Sequence, residues 1–267
     1  MLCFPCAKIN IGLRVLRRRN DGYHEIETVF YPVPLRDALE AVPAKAFAFH
    51  ASGLPLNVAA EDNLVWKALK LLQQRHVIPP LEIFLRKCIP DGAGLGGGSS
   101  DAAFMLKLLN DCAALHLSDT ELETRAAMLG ADCPFFIRNR PLLASGTGNV
   151  FEPVDLSLKG YTIRIVKPDV SVSTKDAYTW VTPSVPPVSL KDIVAQPVSA
   201  WKHTLMNDFE PSVCRRRPVI AQIKERLYAG GAVYAAMSGS GSSVYGLFDT
   251  EVDLSFPGCF VWKGTLD

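Results

Sequence analysis

The sequence predicts an α+β protein in two domains, residues 1–154 and 155–267, and three observations predict it. Up to about residue 150, strand patterns alternate with helix patterns. From Tyr161 to Phe248 the order becomes strand, helix, helix, strand, strand. Between the strand pattern at 81–87 and the helix pattern at 101–109 lie five glycines in the seven positions 92–98, which no packed core requires.

The elements follow from local patterns. Residues 7–16 alternate, with Ile9, Ile11, Leu13 and Val15 on one face and Lys8, Asn10, Gly12 and Arg14 on the other. Asp62-Asn63 caps an amphipathic helix running to about His76, which Pro79-Pro80 ends. Leu81, Ile83 and Leu85 mark a strand, and Asp101–Leu109 a buried helix with Ser99 or Ser100 as its N-cap. Ser118-x-x-Glu121 is a capping box for a helix that stops at Gly130, which leaves Asp132 in the turn before Pro134. In the second domain Tyr161–Val166 is a strand, and the four prolines from Pro183 to Pro197 mark an irregular loop. Asn207 or Asp208 caps a helix with Pro211 in its first turn, and Pro218–Ala229 is another. Strands at 233–237 and 244–248 flank Ser238-Gly-Ser-Gly-Ser-Ser243.

Composition narrows the function classes. A length of 267 residues with 48% hydrophobic and 21% charged residues suits a soluble protein with a sizeable core. A formal net charge of +1 argues against nucleic acid as a partner. The triplets Arg17–Arg19 and Arg215–Arg217 read as solvated faces. No apolar run is long enough for a membrane span, and Lys8 falls too early for a signal-peptide core, so the expected compartment is the cytoplasm. Seven cysteines fit free thiols there. Cys3-x-x-Cys6 lacks the second pair or the histidines that a zinc site requires.

The chemistry concentrates in Pro90-Asp91-Gly92-Ala93-Gly94-Leu95-Gly96-Gly97-Gly98-Ser99-Ser100. A strand, a glycine loop and a helix start together form an anion site, because unpaired N–H groups and the helix dipole both favour phosphate. Gly92-x-Gly94-x-x-Gly97 also satisfies a dinucleotide-binding pattern, but Asp111 falls at a helix end, not at the end of a second strand. A P-loop is excluded because no Gly-Lys-Ser/Thr follows the glycines. On spacing alone, Asp132 reads as a loop carboxylate bound to backbone N–H groups and Lys8 as a solvent-facing strand lysine.

The glycine loop resembles the second motif of the GHMP kinase superfamily, and the resemblance runs along the chain. Cys6-Ala-Lys-Ile-Asn10, Asp21-Gly-Tyr-His24, Gly130-Ala-Asp-Cys-Pro-Phe-Phe136, Asn207-Asp-Phe-Glu210 and Met237-Ser-Gly-Ser-Gly-Ser-Ser243 occur in the family's order. The set is most similar to a branch that uses ATP to phosphorylate the 2-hydroxyl of a cytidylated methylerythritol in the non-mevalonate isoprenoid pathway. Cys6 departs from the usual residue before Ala-Lys, and the second half is compact.

The resemblance implies a ribosomal-protein-S5-like first domain, a ferredoxin-like second domain and an active site in the cleft between them. It makes Asp132 the group that orients the acceptor hydroxyl and takes its proton late, and Lys8 the cation that stabilises charge on that oxygen. Residues 90–100 then hold the ATP phosphates, and Asn63 and Leu64 border the adenine. Asn10, Tyr23, His24, Thr174, Tyr178, Gly239 and Ser240 meet the acceptor, with tyrosine faces stacking on cytosine. Magnesium is expected with the ATP, and no protein ligand to it is assigned. A monomer or weak homodimer is expected. The competing classes are another small-molecule kinase of mevalonate or homoserine type, a nicotinamide-dependent oxidoreductase, and a non-catalytic protein of this fold.

Overall fold

A computed structural model describes residues 1–56 and 58–266. In chain order the elements are β1 (Leu2–Cys3), β2 (Cys6–Arg18), β3 (His24–Arg36), β4 (Ala38–Pro43), β5 (Ala48–Gly53), α1 (Leu64–Gln73) and β6 (Leu81–Lys87). Next come α2 (Gly97–Cys112), α3 (Asp119–Ala127), α4 (Cys133–Arg138), β7 (Leu142–Ser145), β8 (Val150–Pro153) and β9 (Thr162–Lys167). The chain continues through α5 (Thr174–Trp180), α6 (Leu190–Val194), α7 (Glu210–Arg216), α8 (Pro218–Ala229), β10 (Tyr234–Met237), β11 (Val244–Phe248) and β12 (Phe260–Thr265). The fold class is α+β, and contacts divide the chain into two compact units.

The first unit comprises Met1–Ala7, Leu35–Asp91 and Gly96–Arg140. Its sheet has the order β1-β4-β6-β5, with β4 antiparallel and β5 parallel to β6. Helix α1 buries Val65, Ala68, Leu69 and Leu72, a spacing that puts all four on one face. That face packs on α2, which also packs on α4. The small Ala102 and Ala103 of α2 are fully buried and permit close approach, while Met105, Leu106 and Leu109 fill the core. Each such large apolar side chain contributes about 1.5–3 kcal/mol through burial.

The second unit comprises Lys8–Pro34, Gly92–Leu95 and the chain from Pro141 onward. One sheet has the order β2-β3-β7-β8. The other is wholly antiparallel in the order β10-β11-β9-β12, with every residue of β10 and β11 buried. Phe209 and Val213 join Ile220, Ile223 and Leu227 of α8 in a core with Val244 and Phe248 of β11. Segment 206–208 lies along β2, because Leu13 donates to the Met206 carbonyl and Asp208 Oδ2 accepts the N–H of Val15.

Three local expectations need correction. Helix α2 starts at Gly97 with Gly96 as N-cap, φ +71°, so the cap is a left-handed glycine and neither Ser99 nor Ser100. Helix α7 starts after Phe209; Asn207 Oδ1 accepts the Phe209 N–H one step earlier, and Asp208 is engaged with β2. The proline-rich stretch 182–197 contains a short helix, α6, capped by Ser189. Asp132 lies in the turn before Pro134, as expected, and is the N-cap residue of α4.

Candidate active site

In the first unit three helix starts converge. Asn63 caps α1, its Oδ1 accepting the Val65 N–H at 2.9 Å. Leu64 Cδ1 lies 3.8 Å from where a Cβ on Gly98 would stand, so α1 and α2 begin side by side. The Ser99 hydroxyl bonds to the Cys133 thiol at the start of α4, and burial pushes that thiol up to about 11. Ser100 Oγ is buried without a hydrogen-bond partner. Asp132 is half-buried, and its carboxylate makes no cap hydrogen bond to α4. Beside Asn63 opens a cavity of about 290 Å³, lined by Phe49, Gly53, Leu54, Leu56 and Val58 among others. The unit therefore brings together Asn63, Leu64, Gly97, Gly98, Ser99 and Ser100, with Asp132 at the third helix start.

In the second unit the remainder of the glycine loop meets the second glycine-rich turn. Gly94 has φ +75°, and a Cβ there would stand 2.1 Å from the Ser238 carbonyl oxygen, so only glycine fits. Ser238 Oγ donates to the Gly94 carbonyl at 2.8 Å, and the Ser243 N–H donates to Ala93. Lys8 donates its backbone N–H to Leu95. Its Nζ donates to Asn10 Oδ1 at 2.6 Å and lies 4.7 Å from the Phe30 ring centroid. Asn10 Nδ2 in turn donates to Thr28 Oγ1, which donates to the Gly12 carbonyl. Lys8 and Asn10 are each only 3% exposed, so the polar face of β2 is buried. That corrects the expectation of a solvent-facing lysine.

The acceptor residues also gather in this unit. Thr174 Oγ1 and Ser240 Oγ are 3.0 Å apart, and a Cβ on Gly239 would stand 3.4 Å from Asn10 Oδ1. His24 stacks on Tyr178 with ring centroids 4.8 Å apart, and Tyr178 meets Phe209 edge-on. Burial first, then the Arg18 guanidinium, lowers the His24 pKa from its ordinary value. Tyr23 is 67% exposed. Two rings this close leave no gap for a third, so the stacking face expected on Tyr178 is covered by His24.

Sequence patterns missed the residues that support these groups. Asn207 Nδ2 donates to the carbonyls of Met237 and Gly239, both at 2.8 Å, and so holds the second glycine-rich turn. Tyr245 OH donates to the Asn10 carbonyl, and Glu210 Oε1 accepts the Met237 N–H at 2.6 Å. Asn207 and Glu210 lie in the motif Asn207-Asp-Phe-Glu210, a signal present in the sequence; Thr28 and Tyr245 carried none. Asp111 lies inside α2, which removes the ribose ligand of a dinucleotide site.

Converging helix starts in the first unit, and in the second a glycine-rich turn locked against residues 93–94, are each of a kind that holds phosphate. The profile of the GHMP kinases N terminal domain matches residues 63–140, and that of the GHMP kinases C terminal domain matches 190–255. The chain belongs to the GHMP kinase family and is an ATP-dependent small-molecule kinase. It is similar to 4-diphosphocytidyl-2-C-methyl-D-erythritol kinase of Parabacteroides distasonis, 59% identical over 270 residues that cover 100% of each chain. The enzyme of that name from Bacteroides fragilis is 56% identical over 97% of this chain and 98% of its own. A crystal structure of 4-(cytidine 5'-diphospho)-2C-methyl-D-erythritol kinase superposes with TM-score 0.81 at 34% identity, covering 92% of this chain and 90% of that one.

Proposed function

We propose that this kinase transfers the γ-phosphoryl group of ATP to the 2-hydroxyl of 4-diphosphocytidyl-2-C-methyl-D-erythritol, a step in isoprenoid precursor biosynthesis. The observation that carries the acceptor is 59% identity over the full length to a relative of that name. The rings of His24 and Tyr178, with exposed Tyr23 adjoining His24 in the chain, support it as an aromatic platform that opens to take the base. Mevalonate and homoserine have no aromatic base for such a platform.

Phosphoryl transfer depends on positioning and charge compensation. Main-chain N–H groups of residues 90–100 hold the phosphates, with the α2 start and the buried Ser100 hydroxyl, while Asn63 and Leu64 border the adenine beside the 290 Å³ cavity. Asp132 orients the acceptor hydroxyl and takes its proton as the new P–O bond forms. Lys8, aimed by Asn10, stabilises negative charge on that oxygen. Thr174, Gly239 and Ser240 hold the acceptor. For Tyr178 to meet cytosine, His24 leaves the ring it covers, and its imidazole then serves the edge of the base. Among the described residues no three His, Cys, Asp or Glu side chains cluster as a metal site, and magnesium enters this reading as the counter-ion of ATP. No helix of the described residues is long and apolar enough to cross a membrane, and all seven cysteines are free thiols. We place the enzyme in the cytoplasm, as a monomer or weak homodimer with one domain at 1–154 and the other at 155–267.

The test is ATP consumption with the cytidylated methylerythritol, mevalonate, homoserine and galactose, each in turn. Turnover with the first alone is expected. Comparable turnover of any other overturns the acceptor assignment.

A further inference from the structure

Apart from the residues assigned to ATP and acceptor, the first unit buries three charged side chains at one point. Lys87 ends β6, Asp37 follows β3 and Asp101 lies near the start of α2; they are 3%, 1% and 2% exposed. Lys87 Nζ donates to Asp37 Oδ2 and, at 2.6 Å, to Asp101 Oδ2. Asp37 Oδ1 accepts the backbone N–H groups of Cys88 at 2.5 Å and Ile89 at 2.8 Å. A Cβ on Gly97 would stand 3.3 Å from Lys87 Nζ, so the ammonium sits directly behind the first residue of α2. Asp101 Oδ1 is buried without a hydrogen-bond partner.

Stability does not account for this arrangement. Ions lose hydration on burial, and well-packed apolar residues in their place are often neutral or stabilising. What the ions add is geometry. The two N–H bonds to Asp37 fix the peptide orientation at 88–89, where the chain enters the glycine loop. Asp101 fixes the helix by which it leaves, and one ammonium joins the two. A phosphate cradle of backbone N–H groups depends on their directions, and a displacement of about 1 Å can lower rates about 100-fold.

We propose that Asp37, Lys87 and Asp101 are positioning residues, which hold the entry and exit of the glycine loop in register for the phosphates of ATP. The proposal rests on the reading of residues 90–100 as the phosphate loop. Burial pushes the Asp101 carboxyl up to about 8 against the pull of Lys87. Asn is the nearest isostere of Asp101.

The test compares Lys87→Met, Asp37→Asn, Asp101→Asn and Gly97→Val. KM is measured for ATP and for the cytidylated acceptor, affinity for a non-hydrolysable ATP analogue by titration, and folding by circular dichroism and melting. Lys87→Met is expected to raise the KM for ATP by about 10- to 100-fold. Its KM for the acceptor should change less than about twofold, a split that loss of folded protein alone does not produce. Asp37→Asn keeps an acceptor for an N–H and should fall between Lys87→Met and Asp101→Asn. A folded Lys87→Met with an unchanged KM for ATP overturns the proposal. Should Lys87→Met not fold, Asp37→Asn decides by the same criterion. Gly97→Val separates the two readings: if it loses the analogue while the charge variants keep it, positioning alone is wrong. If folded Gly97→Val also binds the analogue normally, the phosphate-loop reading falls and the proposal with it.

Discussion

Lys8 and Lys87 are each 3% exposed, and each donates from Nζ to a side-chain oxygen, yet their surroundings differ in kind. Lys87 is bonded to two carboxylates, contributed from positions 50 and 14 residues away in the chain. Lys8 donates to the amide of Asn10, two residues along the same strand, and lies over the Phe30 ring. The two carboxylates tie the Lys87 ammonium between distant segments, whereas the amide and the ring aim the Lys8 ammonium from its own strand and the next. The first arrangement suits a fixed joint and the second a side chain aimed from within one strand. Burial alone would not distinguish them.

The largest effects fall on the chemical step. Asp132→Asn removes charge and proton acceptance but not shape, so kcat should fall about 100- to 10,000-fold with ATP affinity retained. Lys8→Met should also act on kcat, by about 100- to 1,000-fold. Steady-state kinetics and analogue titration on the two lysine variants break the comparison if Lys8→Met raises only the KM for ATP, or Lys87→Met lowers only kcat. Gly97→Val should abolish ATP binding. Its Cβ would stand 2.9 Å from Ile89 Cγ2 and 3.3 Å from Lys87 Nζ, so the obstacle is the packing beneath α2 and not a special backbone conformation. Unchanged nucleotide affinity in the folded variant would contradict this.

Tyr178→Ala removes one stacking face, contributing about 1–3 kcal/mol, and should lower kcat/KM roughly five- to 150-fold, mostly through the KM for the acceptor. Because the ring also packs on Phe209 and under His24, its melting temperature should fall as well. Tyr178→Phe should be close to silent in both. A stability loss with an unchanged KM for the acceptor would reduce Tyr178 to a core residue.

The smallest effect sharpens the account of the Lys87 cluster. The folded Asp101 pKa of about 8 lies above its ordinary 3.8, so in that window the native state holds a proton that the unfolded chain has released. This contribution is complete below pH 3.8 and is lost as pH rises to about 8. Lys87, Asp37 and the Cys3 thiol are the groups coupled to it, and Asp101→Asn removes the titration. The melting temperature of Asp101→Asn should therefore gain on that of the native protein between pH 5 and pH 8. A difference independent of pH would contradict the raised pKa.

What was legible in the sequence follows the range of the interactions. Strand β6, helices α1, α3 and α8, and the strands flanking the second glycine turn rest on alternation, caps and prolines, all short-range signals. The capping box of Ser118 and Glu121 formed as expected. The start of α2 was misplaced because the serines look like caps, while the positive φ of Gly96 leaves no mark of its own in a run of glycines. Lys8 and Asn10 share a strand face by spacing, but their burial depends on the rest of the fold. The Lys87 cluster joins three distant positions, none of which breaks a local pattern. His24 on Tyr178 joins residues 154 positions apart, and nothing local announces that contact.

The most direct test of the acceptor assignment is to locate the new phosphate by phosphorus and carbon NMR, after turnover of the cytidylated methylerythritol with ATP. A single phosphoryl group on the oxygen of C2, in one-to-one ratio with the ADP formed, is the expected result. Phosphate on another hydroxyl, or ADP formed with inorganic phosphate and an unaltered acceptor, would contradict it.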